Sequence, residues 1–166
     1  MAITNYLFFA LKLFAALGCG LMAGVFFAFS AFVMNALARL PAAAGIAAMQ
    51  SINITVINRL FMTVFLGTAA ACIFLAVSSF KWHQPGAACL LAGSLLYLVG
   101  TLGVTIACNV PLNEAWAHVD PGSADGARLW ASYLANWTIW NHIRSAAALA
   151  ASAALTIALC DQSAQY

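Results

Sequence analysis

The sequence predicts an all-α integral membrane protein, a bundle of four transmembrane helices with short interfacial helices in the two longer loops. Three observations carry this. Six Lys or Arg and four Asp or Glu make 6% of the 166 residues charged, against about 25% in a soluble domain. Hydrophobic residues make up 65%, and so few charges cannot cover a soluble globule of this size. The apolar residues fall in four continuous runs, each near the roughly 20 residues that a helix needs to cross a bilayer. Disorder is excluded, because disordered chains are charge-rich and poor in apolar residues. Nucleic acid is excluded as a partner, because a net charge of +2 without a basic cluster neutralises few phosphates.

The runs are Tyr6–Met34, Leu60–Ser79, Ala87–Ala107 and Trp137–Cys160. Barrel strands would alternate apolar and polar residues over about ten positions. These runs are unbroken and rich in Ala and Leu, so they read as helices. The first is too long for a cleaved secretion signal, whose apolar region is about 7–15 residues. With its connections the set accounts for residues 1–166 as a single transmembrane domain. An even number of spans puts both termini on one side of a multi-pass protein. That side also holds the short loop Phe80–Pro85 with Lys81 and His83. The opposite side holds the longer connections Asn35–Arg59 and Cys108–Asn136. In the first, Met49, Ile52, Val56 and Ile57 have the spacing of a short amphipathic helix on the membrane. In the second, residues 125–136 suit another short helix. Arg39, Arg59, Arg128 and Arg144 against Lys12 and Lys81 point this loop side toward the cytoplasm, but the count becomes two against two if Arg59 and Arg144 serve a site, so orientation stays open.

The five cysteines form no CxxC pair and read as small buried hydrophobes. Ala16, Gly20, Gly24 and Ala28 recur every four residues, and Gly93, Gly100 and Gly103 follow in the third run. Small residues let helices approach closely in lipid, which suits a compact bundle and offers a face for a homodimer. Phe26, Phe27, Phe29 and Phe32 suit packing or a pocket wall.

The polar residues carry the functional signal, because polar groups near hydrocarbon are costly and face a cavity or one another. Ser30, Asn35, Asn53, Asn58 and Arg59 flank the first two runs at the loop side. Asn109, Asn113 and Glu114 follow the third, and Trp137, Thr138, Trp140, Asn141, His142 and Arg144 open the fourth. Thr138, Asn141 or His142, and Ser145 share a helical face. Pro111 is positioned to end the helix between Asn109 and Asn113. Caps, breakers and interface anchors account equally for Asn113, Arg59 and the tryptophans taken singly. His142, two turns into the last run, is harder to explain that way.

The stretch Cys108-Asn-Val-Pro-Leu-Asn-Glu-Ala-Trp-Ala-His-Val-Asp-Pro and the later Trp137-Thr-Ile-Trp-Asn-His-Ile-Arg144 resemble the anthrone oxygenase-like family of small four-span membrane proteins. So do the Gly24–Met34 run, Met49-Gln-Ser-Ile-Asn53 and Asn58. The likeness covers most of the chain. It implies oxidation of an anthrone, a reduced tricyclic aromatic ketone, to the anthraquinone by dioxygen as co-substrate and with no cofactor. It also implies Asn109, Asn113, Trp137, Asn141, His142 and Arg144 as site residues, and a place in a bacterial inner membrane.

The residues support roles for such chemistry. Histidine is the commonest general base near neutral pH, which makes His142 the candidate base. Arg144, or Arg59, suits the developing enolate oxygen. Asn109, Asn113 and Asn141 suit ring hydroxyls or the orientation of His142, Asn58 is a further substrate-binding candidate, and Trp137 and Trp140 suit stacking on a flat apolar substrate. Two rivals are a metal or haem protein, with Glu114, His118 and His142 as ligands, and a small transporter or lipid-binding protein. No HExxH or Cys-pair motif supports a metal, and a transport path needs polar access from both sides.

Overall fold

The computed structural model describes residues 2–80 and 86–163, and every element among them is helical. The expectations for Lys81 and His83 lie outside the described residues. Helix α1 is one rod made of Ala2–Ala28, a π-helical turn Phe29–Val33, and Met34–Ala38. Helix α2 spans Ala42–Thr55, and α3 spans Arg59–Ser79. Helix α4 runs from Ala87–Leu95 through π-helical segments Leu96–Gly103 and Thr105–Asn109 into Val110–Ala117. Helix α5 is Ala124–Ser163, 40 residues long. Four of these, α1, α3, α4 and α5, are long and apolar enough to cross a membrane. The chain is an all-α, integral membrane four-helix bundle.

Two segments differ from the sequence expectation. Pro111 does not end α4. A proline clashes with the carbonyl four residues back, but here it sits in the first turn of Val110–Ala117, directly after a π-helical segment. The wider π turn relieves that clash and carries the rod onward. The expected loop 108–136 therefore shrinks to a tight turn, and residues 125–136 form the start of α5 rather than a separate helix. Within the turn, Asp120 Oδ1 accepts from Gly122 N at 3.0 Å, and Ser123 Oγ accepts from Gly126 N at 3.0 Å, capping α5.

The other expected interfacial helix is present as α2, yet it is fixed to the protein. It buries Gly45, Ile46 and Met49, and Gly45 lies so close to the Trp130 ring that an added Cβ would be 3.0 Å away. Gln50 Nε2 donates to the carbonyls of Trp116 and Val119, both at 2.9 Å, tying α2 to the end of α4.

The bundle is organised by the buried side of α5. Trp130, Trp137, Arg144, Ala151 and Ala158 recur every seven residues, with Asn141, Ala148 and Leu155 between them, all buried. That 3.5-residue period is the seam of left-handed helix packing. Its alanine half lets α1 and α4 come close: Ser152 Oγ donates to Ala16 O at 2.9 Å, and Gly93 lies against Ala151 and Leu155. Its aromatic half meets α1 and α2 in a second cluster of Met34, Leu37, Ile46, Met49, Trp130 and Tyr133. Lys12 Nζ donates to Ala158 O at 3.5 Å, and Gly86 lies beside Ala158 and Asp161. These contacts fix one end of the bundle, and the polar residues of the site lie toward the other. The small-residue stripe of α1 does not face one way. Ala16 is buried, whereas Gly24 is exposed with nothing within 4 Å of an added Cβ.

A prediction follows from the glycine contacts. A Cβ on Gly93 would lie 3.0 Å from the Ala151 carbonyl oxygen, which cannot move away cheaply. Gly93→Ala should lower stability by about 1–3 kcal/mol through overpacking, and Gly24→Ala should not. Thermal unfolding of the purified protein in detergent checks both.

Candidate functional site

A cavity of about 320 Å³ is walled by all the helices. That is at the small end of ligand pockets, which run from about 300 to 1,000 Å³. Its walls are aromatic and aliphatic: Phe26 and Phe29 from α1, Phe61 and Phe65 from α3, Leu102 from α4, Trp137 from α5. The polar lining is Asn53, Thr105, Asn113 and Arg144. Ile57, Leu66, Ile106 and Val110 also line it while remaining exposed. The cavity thus opens sideways, where the first turns of α3 and the latter half of α4 stand apart.

Arg144 is the centre of the site. Its side chain is 5% exposed, and its guanidinium lies over the Phe26 ring at 4.3 Å and the Trp137 ring at 5.1 Å, a cation–π sandwich. One nitrogen donates to Asn141 Oδ1 at 2.7 Å and another to Thr105 Oγ1 at 3.3 Å, while Nε has no partner among the described residues. The one ion pair among the described residues, Arg128 with Asp125, lies elsewhere on the exposed start of α5. A buried cation held by neutral groups favours a negatively charged or strongly polar oxygen beside it.

Asn141, fully buried, holds the guanidinium in place. Its amide nitrogen donates to Phe26 O and Ser30 Oγ, both at 2.7 Å. Ser30 lies within the π-helical turn of α1 and Phe26 just before it, and such turns are common at functional sites. Asn109 is also buried. Its amide donates to Trp137 O at 3.2 Å, and its Oδ1 has no partner among the described residues. It buttresses α5 from behind the cavity wall. Asn113 Oδ1 accepts from Trp137 Nε1 at 2.8 Å and from Tyr133 Oη at 3.1 Å.

The structure brings Asn109, Asn113, Trp137, Asn141 and Arg144 together and leaves other expected residues outside. His142 is exposed and is not part of the cavity wall. One residue along a helix turns about 100°, so with Asn141 and Arg144 on the buried seam His142 faces outward. It cannot act as the base of this site. Trp140, 38% exposed, faces outward for the same reason. Arg59 is exposed at the start of α3. Asn58 caps that helix, accepting from Phe61 N at 3.0 Å, and the cap is its role. Glu114, His118 and His142 are all exposed, and no three His, Cys, Asp or Glu side chains among the described residues group as metal ligands. The cysteines are free thiols, with Cys19 and Cys72 buried.

Thr105, Phe61 and Tyr133 are site residues that sequence reasoning did not assign, while Phe26 and Asn53 were named there without a definite role. A signal for Thr105 existed: Thr101, Thr105, Asn109 and Asn113 recur every four residues, a polar stripe down one face of α4.

These features define a four-helix membrane protein with a buried arginine in an aromatic, side-opening cavity. The comparisons give the family. The family model described as anthrone oxygenase matches residues 56–154, more than half of the chain and most of the site. The chain belongs to the anthrone oxygenase family. No curated protein and no solved structure matches it.

Proposed function

We propose that this protein is a membrane oxygenase that converts an anthrone-like aromatic ketone to the quinone with dioxygen and no resident cofactor. The single observation that carries this is the uncompensated Arg144 guanidinium between Phe26 and Trp137 in a largely apolar cavity.

The aromatic walls take the flat rings, and Arg144 meets the ketone oxygen. Losing one proton from the ring methylene turns that ketone into its enolate, whose negative oxygen Arg144 stabilises in a low-dielectric setting. The electron-rich carbon then reduces dioxygen and forms a C–O bond, giving a peroxide. Cleavage of the O–O bond, with loss of the second hydrogen from that carbon, yields the new carbonyl and one water. Overall, one methylene and one dioxygen become one carbonyl and one water. Among the described residues lining the cavity, Arg144 is the single ionisable group, so the first proton passes to solvent and the protein shifts the substrate's own ionisation.

The pH dependence tests this. The rate should rise with pH along one curve, that of substrate ionisation, without the second limb that a protein acid or base adds. His142→Ala should keep its rate within about twofold, as for a residue that makes no contact in the transition state. The direct assay is oxygen uptake by protein in lipid nanodiscs with anthrone, at one dioxygen per quinone formed. Treatment with a chelator should leave the rate unchanged. Oxygen uptake no faster than in empty nanodiscs would overturn the proposal. The same reading places the protein in a bacterial inner membrane with both termini on one side, and leaves a homodimer to be tested by sizing in detergent.

A further inference from the structure

We propose that Asn113 is a second recognition point in the cavity, donating its amide N–H to a ligand oxygen on the edge opposite the one held by Arg144. The site then selects planar aromatics with oxygens at two opposite edges. This rests on the reading of Arg144 above and names the substrate class more closely.

The orientation of Asn113 is fixed by chemistry. An indole N–H can only donate, so the atom 2.8 Å from Trp137 Nε1 is the amide oxygen. Tyr133 Oη donates to the same oxygen at 3.1 Å, which occupies both of its lone pairs. The amide NH2 is left at the other end of the group, and no acceptor among the described residues meets it. Asn113 lines the cavity, so an N–H without a partner here favours a ligand acceptor.

The other polar groups leave this role open. Thr105 Oγ1 donates to Thr101 O at 2.7 Å and accepts from Arg144, so its hydroxyl is engaged both ways. Thr105 and Asn113 lie two turns apart on α4, roughly 10–12 Å along the axis. Three fused rings with an oxygen on each side, plus a hydrogen bond of about 2.9 Å at each end, match that separation. A molecule with one oxygen reaches Arg144 and leaves Asn113 unmet. The quinone product therefore fits better than its one-oxygen precursor, as would a precursor carrying a second ring oxygen.

Three probes with one ring skeleton test this in nanodiscs by tryptophan quenching: anthracene with no oxygen, anthrone under argon with one, anthraquinone with two. Anthraquinone should bind more tightly than anthrone by about 3–10-fold, the worth of one net hydrogen bond, and anthrone more tightly than anthracene. Asn113→Leu and Asn113→Asp should erase the first preference and keep the second. The Asp variant retains an acceptor for Trp137 and Tyr133, so it keeps the test sound if the Leu variant fails to fold. An unchanged anthraquinone preference in the Asn113 variants, or none in the wild type, overturns this inference alone. If Arg144→Met keeps the preference for anthrone over anthracene, the reading of Arg144 falls instead. Absence of binding by all three overturns both.

Discussion

Arg144→Met should abolish turnover, by at least about 100-fold, which is the usual effect of removing one donor at a developing oxyanion. The loss should come without unfolding. Met keeps an apolar side chain of similar length between Phe26 and Trp137, and replacing a buried charge by a well-packed hydrophobe is often neutral or stabilising. Arg144→Lys should recover little activity. A lysine has one nitrogen, whereas Arg144 reaches Asn141 and Thr105 with separate nitrogens of a rigid fork. Oxygen uptake together with thermal unfolding in detergent gives both readouts. Full activity in Arg144→Met would show that the guanidinium takes no part.

The second large effect is expected at Asn141. Asn141→Leu removes the bonds to Phe26 O and Ser30 Oγ and leaves one Arg144 nitrogen without an acceptor. Hydrogen bonds to charged groups contribute about 1.5–3 kcal/mol, and polar bonds between membrane helices average about 0.6 kcal/mol. A total cost of about 2–4 kcal/mol is expected, with activity lost as well. Asn141→Asp separates the two roles. It keeps an acceptor for Arg144 but neutralises the cation, so turnover should fall even where the protein remains folded. Measuring unfolding and oxygen uptake on the same samples distinguishes these outcomes.

The bundle was legible because membrane spans are written in long apolar runs, and 60–79 matches Arg59–Ser79 closely. The gathering of polar residues toward one end was legible for a related reason, since hydrocarbon tolerates them only there or facing inward. The face of α5 was not. Asn141 and His142 are neighbours and equally polar, and polarity cannot choose between them. The choice is made by Ala148, Ala151 and Leu155 further along the same seam, which must meet α1 and α4 and so fix the rotation of the whole rod. Histidine's chemistry drew attention to position 142, and packing turned it outward. The extended α4 was hidden because Pro111 reads as a stop unless the preceding π-helical segment is known. Phe26 was ambiguous in principle, because a core ring and a cavity ring have the same sequence signature.

The side opening framed by Ile57, Leu66, Ile106 and Val110 bears on how such a protein obeys mass action. A hydrophobic reactant arriving there has first dissolved in the surrounding lipid, so the concentration that matters is its mole fraction in the leaflet. Adding empty phospholipid to a fixed amount of protein and reactant should slow the reaction by surface dilution, with the total volume unchanged. Dioxygen, itself more soluble in oil than in water, would arrive by the same route.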